Sequence, residues 1–309
     1  MIIAISEEGI HYSSTEYTAM KKFKNNILVV VIIVLVVFSV LYYYPSNYSF
    51  NKTQKRKTNT NSAFVILTRN DDLKGILSSI RQLEDRFNSR VNGGYDYVFL
   101  NDDKFDQNFI KRTSSIISTK AAYGQIPKED WEAPNWIDEK RAQDTRIQMK
   151  ETNVPYGDSV SYRNMCRFNS GKFYNHPLLK SYDYYWRVEP DVSFYCDMDQ
   201  DPFLGLQLYN ASYGFVISIK EYPETIPTLW DAVKEFMTLY PQHIAPDNSL
   251  EFISSDGGAT YNGCHFWSNF EIGDLNFFRS QAYTDFFNFL DAKGGFYYEV
   301  CLFYFILSF

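Results

Sequence analysis

The sequence lacks several patterns that identify common classes of protein. Its 309 residues include four cysteines with no C-x-x-C pair, so a cysteine-based zinc site is not indicated. It contains no G-x-G-x-x-G motif and no P-loop, so neither dinucleotide nor ATP binding through such loops is predicted. Basic residues are not in excess, because the formal net charge is −7, and this argues against nucleic acid as a partner.

The low cysteine content also limits the possible disulfides. An oxidising compartment would permit one disulfide among Cys166, Cys196 and Cys264. The sequence leaves open which pair forms.

Charge is absent from residues 27–44, near the N-terminus. A helix of this length, at a rise of ~1.5 Å per residue, reaches about 27 Å, close to the hydrocarbon thickness of a bilayer. A cleaved signal peptide is the alternative, but such peptides have shorter apolar runs and a small-residue cleavage site. Lysines just before the run favour a cytoplasmic N-terminus. We therefore predict a type II protein with a cytoplasmic tail (1–26), a transmembrane anchor (27–44) and a stem (45–62).

The remainder alternates between short apolar runs and amphipathic segments. Residues 63–68 and 95–100 are predicted to be buried strands, and the apolar stripe from Leu73 to Phe87 predicts a helix between them. This strand–helix–strand opening predicts an α/β domain with a parallel crossover. Further strands are predicted at 184–188 and 214–219, and further helices at 139–150, 159–168, 226–240 and 282–292.

The sharpest local motif is Tyr-Tyr-Trp-Arg-Val-Glu-Pro-Asp-Val at residues 184–192. An apolar strand leads into two acids separated by proline, which cannot donate a ladder hydrogen bond. Acids at the carboxyl end of such a strand face the ligand-binding crevice of α/β proteins. Glu189 and Asp191 would then offer hard oxygen ligands to Mn²⁺ or Mg²⁺ beside a diphosphate. The alternative is a turn with solvated acids.

A second motif, residues 261–271, brings His265, Trp267, Asn269 and Glu271 close together in the chain. Its aromatic rings suit a sugar face, its polar side chains suit hydroxyl groups, and Glu271 suits an anomeric carbon. A core strand with alternating aromatics explains the same pattern, and His265 alone is better explained as a structural histidine.

A third motif, residues 161–171, carries Tyr162, Arg163 and Arg167. Arginine matches phosphate oxygens with two parallel hydrogen bonds, so these side chains are candidates for a phosphate site. An amphipathic helix with surface arginines would give the same pattern.

Together these stretches resemble glycosyltransferase family 15, the fungal α-1,2-mannosyltransferases of the Golgi. The resemblance extends from about residue 63 to residue 299. The matching segments, in order, are AFVILTRNDDL, RFN with YDYVFLND, YGQIPKEDWEAPNWID, YRNMCRFNSGKFY, YYWRVEPDV, YGFVISIKEYPETIPTLW and YNGCHFWSNFEIGDLNFFR.

The resemblance implies a Rossmann-like, GT-A type catalytic domain that uses GDP-mannose and Mn²⁺. Mannose would pass, with retained configuration, to a mannose of O-linked or N-linked glycans in protein glycosylation and cell-wall mannoprotein synthesis. In the family's pattern Glu189 contacts the metal, Tyr162 lies at the donor, Arg187 lies beside the sugar and Glu271 is a proposed nucleophile. Arg69, after the first strand, is our own assignment to the nucleotide pocket. The catalytic domain would lie in the Golgi lumen.

The resemblance ends at residue 299, where the family continues with RWGDAPVH and this chain has the apolar residues 300–309. In the family the following portion supplies an aspartate near the acceptor and a histidine at the metal. We therefore expect weakened metal binding and turnover in this chain. The final segment is more typical of translation through an intron or a frameshift than of an evolved terminus.

Three alternatives to an active transferase remain open on the sequence alone. The chain could be a catalytically impaired lumenal pseudoenzyme that binds glycans or partner transferases, a glycosidase using paired carboxylates, or a structural membrane protein. For the transferase, a covalent intermediate on Glu271 and front-face attack by the acceptor are both compatible with the sequence. The acceptor glycan, and the linkage made, are also open.

Overall fold

The computed structural model describes residues 60–299. Within that range there is no helix with the length and apolar character needed to cross a membrane. The predicted anchor at 27–44 and the apolar segment at 300–309 lie outside the described residues. The predicted catalytic domain falls inside them.

Eight strands and eleven α-helices occur between residues 60 and 299, with short 3₁₀ turns between several of them. The strands are β1 (Ser62–Leu67), β2 (Asp96–Asn101), β3 (Ala121–Gln125), β4 (Tyr184–Arg187), β5 (Tyr213–Phe215), β6 (Ser218–Lys220), β7 (Cys264–Phe266) and β8 (Glu271–Asp274). The helices are α1 (Leu73–Arg86), α2 (Gln107–Ser114), α3 (Lys128–Trp131), α4 (Glu139–Glu151), α5 (Val160–Gly171), α6 (Pro202–Tyr209), α7 (Leu229–Leu239), α8 (Leu250–Ile253), α9 (Leu275–Phe278), α10 (Gln281–Lys293) and α11 (Gly295–Tyr298).

Six strands form one mixed sheet in the order β3-β2-β1-β4-β8-β5. The first four are parallel, and β8 runs antiparallel to both β4 and β5. β6 and β7 form a separate antiparallel pair. The α/β fold and the parallel β1–α1–β2 crossover are thus confirmed. The chain moves outward from β1 to β3 and then returns to place β4 on the other side of β1.

Apolar side chains cover both faces of the sheet. Phe64 and Ile66 of β1 belong to the core cluster that packs against α1, whereas Ala63 and Val65 belong to the cluster on the opposite face. Successive residues of a strand point to opposite faces, and all four of these side chains are buried. Continuous apolar runs such as that of β1 are typical of strands covered on both sides.

Two sequence predictions differ from the structure in informative ways. The strand predicted at 214–219 is two strands, because β5 pairs with β8 and β6 pairs with β7. The helix predicted at 226–240 begins at Leu229. Pro227 accounts for the later start, since a residue that precedes proline is disfavoured in the helical conformation.

The expected disulfide among the first three cysteines is wrong. Cys196 and Cys264 are free thiols. Cys166 is disulfide-bonded, and the described residues do not include its partner. The three lie in different environments: Cys166 is buried in α5, Cys196 is exposed after β4, and Cys264 lies on β7.

Candidate active site

The order of the strands predicts a ligand crevice at one edge of the sheet. β2 and β4 flank β1 on opposite sides, and the carboxyl ends of these parallel strands point to the same edge. Open α/β sheets bind ligands at such a reversal of strand order. Because β8 is antiparallel to β4, its first residue, Glu271, lies opposite Arg187 at this same edge.

Glu271 is a buried carboxylate held by two tyrosines. Its side chain is 1% exposed. The hydroxyl of Tyr185 donates to Oε1 at 3.1 Å, and that of Tyr213 donates to Oε2 at 2.9 Å. Burial raises the pKa of Glu271 to about 7, although Arg187 and the two hydroxyls favour the charged form. At neutral pH the protonated and deprotonated forms of Glu271 are therefore both populated.

Arg187 connects Glu271 to the second acid of the site. Its Nη2 donates a hydrogen bond to Glu189 Oε1. Its Nη1 lies 3.9 Å from Glu271 Oε1 and donates to Ser268 Oγ at 3.2 Å. Arg187 is buried, and a fixed guanidinium can meet several oxygens at once. The three charged side chains therefore form one cluster.

The end of β4 explains how Glu189 reaches the crevice. The backbone N–H of Val188 donates to Val65 O at 3.0 Å, and Pro190 then has no N–H with which to extend the ladder. Asp191 adopts a left-handed conformation, with φ of 60°, which turns the chain away from the sheet. Glu189 is left partly exposed at the strand end.

The chemistry of Glu189 fits a divalent cation shared with a substrate. The described residues contain no group of three His, Cys, Asp or Glu side chains that would hold a metal by themselves. A hard cation beside a nucleotide needs only one or two carboxylates, because the phosphates supply further oxygens. Glu189 therefore fits an ion that binds together with a diphosphate.

Arg69 and Tyr162, the two other predicted donor-site residues, contact residues outside the Arg187 cluster. Arg69 follows β1 at the crevice edge, but its guanidinium pairs with Asp72 at 3.0 Å. Tyr162 lies in the first turn of α5, where its N–H donates to the capping Ser159 Oγ, and its ring stacks on Tyr156 with centroids 4.6 Å apart. The structure thus joins Arg187, Glu189 and Glu271 through hydrogen-bond and ion-pair contacts, while the described contacts of Arg69 and Tyr162 are to other residues.

The two arginines of α5 are structural, and their interpretation as phosphate ligands is wrong. Arg167 is 2% exposed and pairs bidentately with Asp291 at 2.8 and 2.9 Å. Arg163 is fully buried and donates to the backbone oxygens of Ser159 and Glu299. Neither guanidinium faces solvent, because α5 packs these residues against the C-terminal helices.

Sequence reasoning missed three side chains of the site: Tyr185, Tyr213 and Ser268. Tyr185 and Arg187 are two residues apart in β4, so their side chains extend from the same face of the sheet. This alternation was the one feature of the sequence that could have identified Tyr185. Ser268 lies within the motif at residues 261–271, but nothing in that segment indicates its contact with Arg187, and only the pairing of β5 with β8 reveals Tyr213. His265 is buried near Glu221, which agrees with the structural explanation.

Comparison with known proteins identifies the family. The family model described as glycolipid 2-alpha-mannosyltransferase matches residues 41–301. The chain belongs to this family. It is 54% identical over 238 residues to glycolipid 2-alpha-mannosyltransferase 2 of Candida albicans, covering 77% of this chain and 51% of that protein. It is 50% identical over 257 residues to alpha-1,2 mannosyltransferase KTR1 of Saccharomyces cerevisiae, covering 82% of this chain and 65% of that protein. The chain therefore spans about half to two thirds of these relatives.

Solved structures of family members share the fold. Core-mannan synthase A of Aspergillus fumigatus, in its Mn/GDP form, aligns with a TM-score of 0.77 at 40% identity, covering 82% of this chain and 71% of that one. The mannosyltransferase Ktr4p of Saccharomyces cerevisiae, in complex with GDP, also aligns with a TM-score of 0.77, at 37% identity, covering 81% and 66%. The described domain is therefore a mixed α/β domain of the mannosyltransferase type.

Proposed function

We propose that this mannosyltransferase-family chain transfers mannose from GDP-mannose to a mannose residue of a glycan, with retained configuration. The observation that carries the proposal is the Arg187 cluster, which holds Glu189 and Glu271 together at the sheet edge where a ligand crevice is expected. The Mn/GDP form of one family structure and the GDP complex of another support this donor and metal.

Glu271 is the group we assign to the anomeric carbon. In a covalent route, Glu271 attacks that carbon, the bond to the phosphate oxygen breaks, and its electron pair leaves with GDP. The acceptor hydroxyl then displaces Glu271 and gives its proton to the departing phosphate or to water. In a front-face route, Glu271 only stabilises the positive charge that develops on the sugar. The tyrosine hydroxyls hold the carboxylate in place for either route.

Glu189 is the residue we assign to the divalent cation. A bound Mn²⁺ would neutralise charge on the diphosphate as it leaves. Arg187 contributes a fixed positive charge between the two carboxylates, which reduces their mutual repulsion. Tyr162 and Arg69 are proposed donor-site residues.

The cellular setting is also part of the proposal. We infer a type II protein anchored in the Golgi membrane by residues 27–44, with the catalytic domain in the lumen and mannosylated O-linked or N-linked glycans as acceptors. The apolar run in the sequence and the name of a relative, O-glycoside alpha-1,2-mannosyltransferase omh1 of Schizosaccharomyces pombe, support it.

Transfer of labelled mannose tests the proposed reaction. The chain is incubated with GDP-mannose and methyl α-mannoside, with Mn²⁺ or with a chelator, and the linkage of the product is determined by NMR. We expect slow formation of an α-1,2 disaccharide that stops with chelator, in keeping with the weakened turnover expected from the sequence. Binding of GDP without any transfer, at high enzyme concentration, would favour a pseudoenzyme instead.

A further inference from the structure

The segment that follows Glu189 is attached to one face of α1. The N–H groups of Asp191 and Val192 donate to Gly75 O at 3.2 Å and to Ser79 Oγ at 3.0 Å. Farther along, Phe194 N donates to Gln82 Oε1 at 3.1 Å, and Met198 N donates to Arg86 O at 3.1 Å. We call the α1 residues Gly75, Ser79, Gln82 and Arg86 the α1 docking face.

The first two residues of the α1 docking face are small, and both are in close contact with the segment after Glu189. A methyl group on Gly75 would lie 2.7 Å from Asp191 Oδ2 and 2.8 Å from its Cγ, which is closer than nonbonded atoms approach. Glycine is disfavoured in a helix interior relative to alanine, so this close approach gives Gly75 a physical role. Ser79 is fully buried, and its hydroxyl also lies 3.2 Å from Val192 O.

The geometry fixes the turn that carries Glu189 from both sides. On one side, β4 ends in the sheet with the bond from Val188 N to Val65 O. On the other side, Asp191 and Val192 are bonded to α1, and only Glu189 and Pro190 lie between these attachments. A change in the α1 docking face therefore moves Glu189 relative to the sheet edge.

We propose that Gly75 and Ser79 are positioning residues for the cation held by Glu189, an inference that depends on the proposed function. Groups that orient a metal ligand without touching the metal contribute strongly to metal affinity. In this proposal Asp191 adopts the left-handed conformation that the turn requires, and its side chain packs against Gly75. It is not a second metal ligand.

The test is Mn²⁺ binding to the GDP-saturated full chain in detergent, measured by calorimetry. Ser79→Ala removes the hydroxyl that holds Val192. Its matched control is Ser115→Ala, an exposed serine just after α2 whose hydroxyl donates to Arg112 O and touches no residue of the α1 docking face. We expect Ser79→Ala to weaken Mn²⁺ binding about tenfold. Ser115→Ala should leave Mn²⁺ binding unchanged, and GDP binding in chelator should be the same in both variants.

A second variant separates positioning from folding. Gly75→Ala improves helix propensity but pushes Asp191 away, so we expect weaker Mn²⁺ binding without a lower melting temperature. The positioning role is overturned if Gly75→Ala binds Mn²⁺ as tightly as the parent chain, or if Ser79→Ala binds it as tightly as Ser115→Ala. Glu189→Ala tests the metal role of Glu189 separately from the positioning role of Gly75 and Ser79. If this variant retains the parent's Mn²⁺ affinity, the proposed metal role itself is wrong.

Discussion

Arg187 and Glu271 are directly opposite each other on β4 and β8, with Arg187 Nη1 3.9 Å from Glu271 Oε1. Directly opposite residues of an antiparallel pair extend from the same face of the sheet. The arginine also contacts Glu189, so the sheet register brings together two acids that are 82 positions apart in the chain (271 − 189). The proposed chemistry depends on this pairing.

Glu271→Gln should remove most of the mannose transfer. Glutamine preserves the size of the side chain but has neither the charge nor the nucleophilic oxygen. We expect the turnover number to fall about 10²–10³-fold, with little change in GDP affinity, because groups aimed at developing charge act mainly on the transition state. Initial rates with labelled GDP-mannose measure the effect. The matched control, Glu251→Gln, changes an exposed acid on α8 and should have the activity of the parent chain. A comparable loss of activity in this control would contradict the assignment of Glu271 to the anomeric carbon.

The activity should depend on pH near neutrality. Burial raises the pKa of Glu271 to about 7 from the ordinary 4.5, and the deprotonated form is the competent one. Activity should therefore fall about tenfold for each pH unit below that pKa. A profile of kcat/KM between pH 5 and pH 9 tests this. A flat profile down to pH 5 would contradict the raised pKa of the buried Glu271.

The same group should couple the stability of the fold to pH. In the unfolded chain Glu271 ionises near 4.5, whereas in the folded chain it ionises near 7. Its contribution to stability is thus fully present below the lower pKa and is lost as the pH rises through the higher one. The loss is about 3 kcal/mol. The free energy of unfolding in urea, compared between the parent and Glu271→Gln at pH 4.5 and 8, isolates this contribution.

Tyr213→Phe should shift the acidic limb of the pH profile upward. The hydroxyl of Tyr213 donates to Glu271 Oε2 and so favours the charged carboxylate. Without this bond the pKa of Glu271 rises by about one unit, which corresponds to a hydrogen bond to a charged group. Tyr209→Phe, at an exposed tyrosine, is the control and should leave the profile unchanged. A downward shift in Tyr213→Phe would reverse the inferred role of the hydroxyl.

Two glycines should respond in opposite ways to alanine. A methyl group on Gly171, in α5, would lie 2.0 Å from the Phe287 ring, whereas one on Gly205, in α6, would meet nothing within 4 Å. Gly171→Ala should lower the free energy of unfolding by about 1–3 kcal/mol through overpacking. Gly205→Ala should raise it by about 0.5–1 kcal/mol through helix propensity. Thermal and urea unfolding measure both changes, and stabilisation by Gly171→Ala would contradict the packing of α5 on α10.

Local sequence patterns predicted the parts of the fold that are determined locally. The apolar run at β1, the helical stripe of α1 and the strand leading to Glu189 are all visible in single segments. The strands β3 and β8 were missed because the first is short and half-buried and the second is interrupted by Gly273. Their strand conformation comes from pairing with neighbours, which a single segment does not show.

The same distinction applies to the site. Glu189 and Glu271 were each selected from their own motif, but Arg187 as their common partner, and Tyr185 and Tyr213 as the partners of Glu271, follow from the alignment of β4, β8 and β5. Arg163 and Arg167 illustrate the opposite error. Their spacing suits phosphate, but α5 turns them into the interior, where Arg167 meets Asp291.

A double-mutant cycle on mannose transfer tests directly whether Glu189 and Glu271 serve one site. The turnover of Glu189→Ala, Glu271→Gln and the double variant is measured with GDP-mannose and Mn²⁺. Residues that act as a unit are non-additive, so the double variant should be no slower than the slower single variant. If the two rate losses multiply instead, the carboxylates act independently and the shared site is wrong.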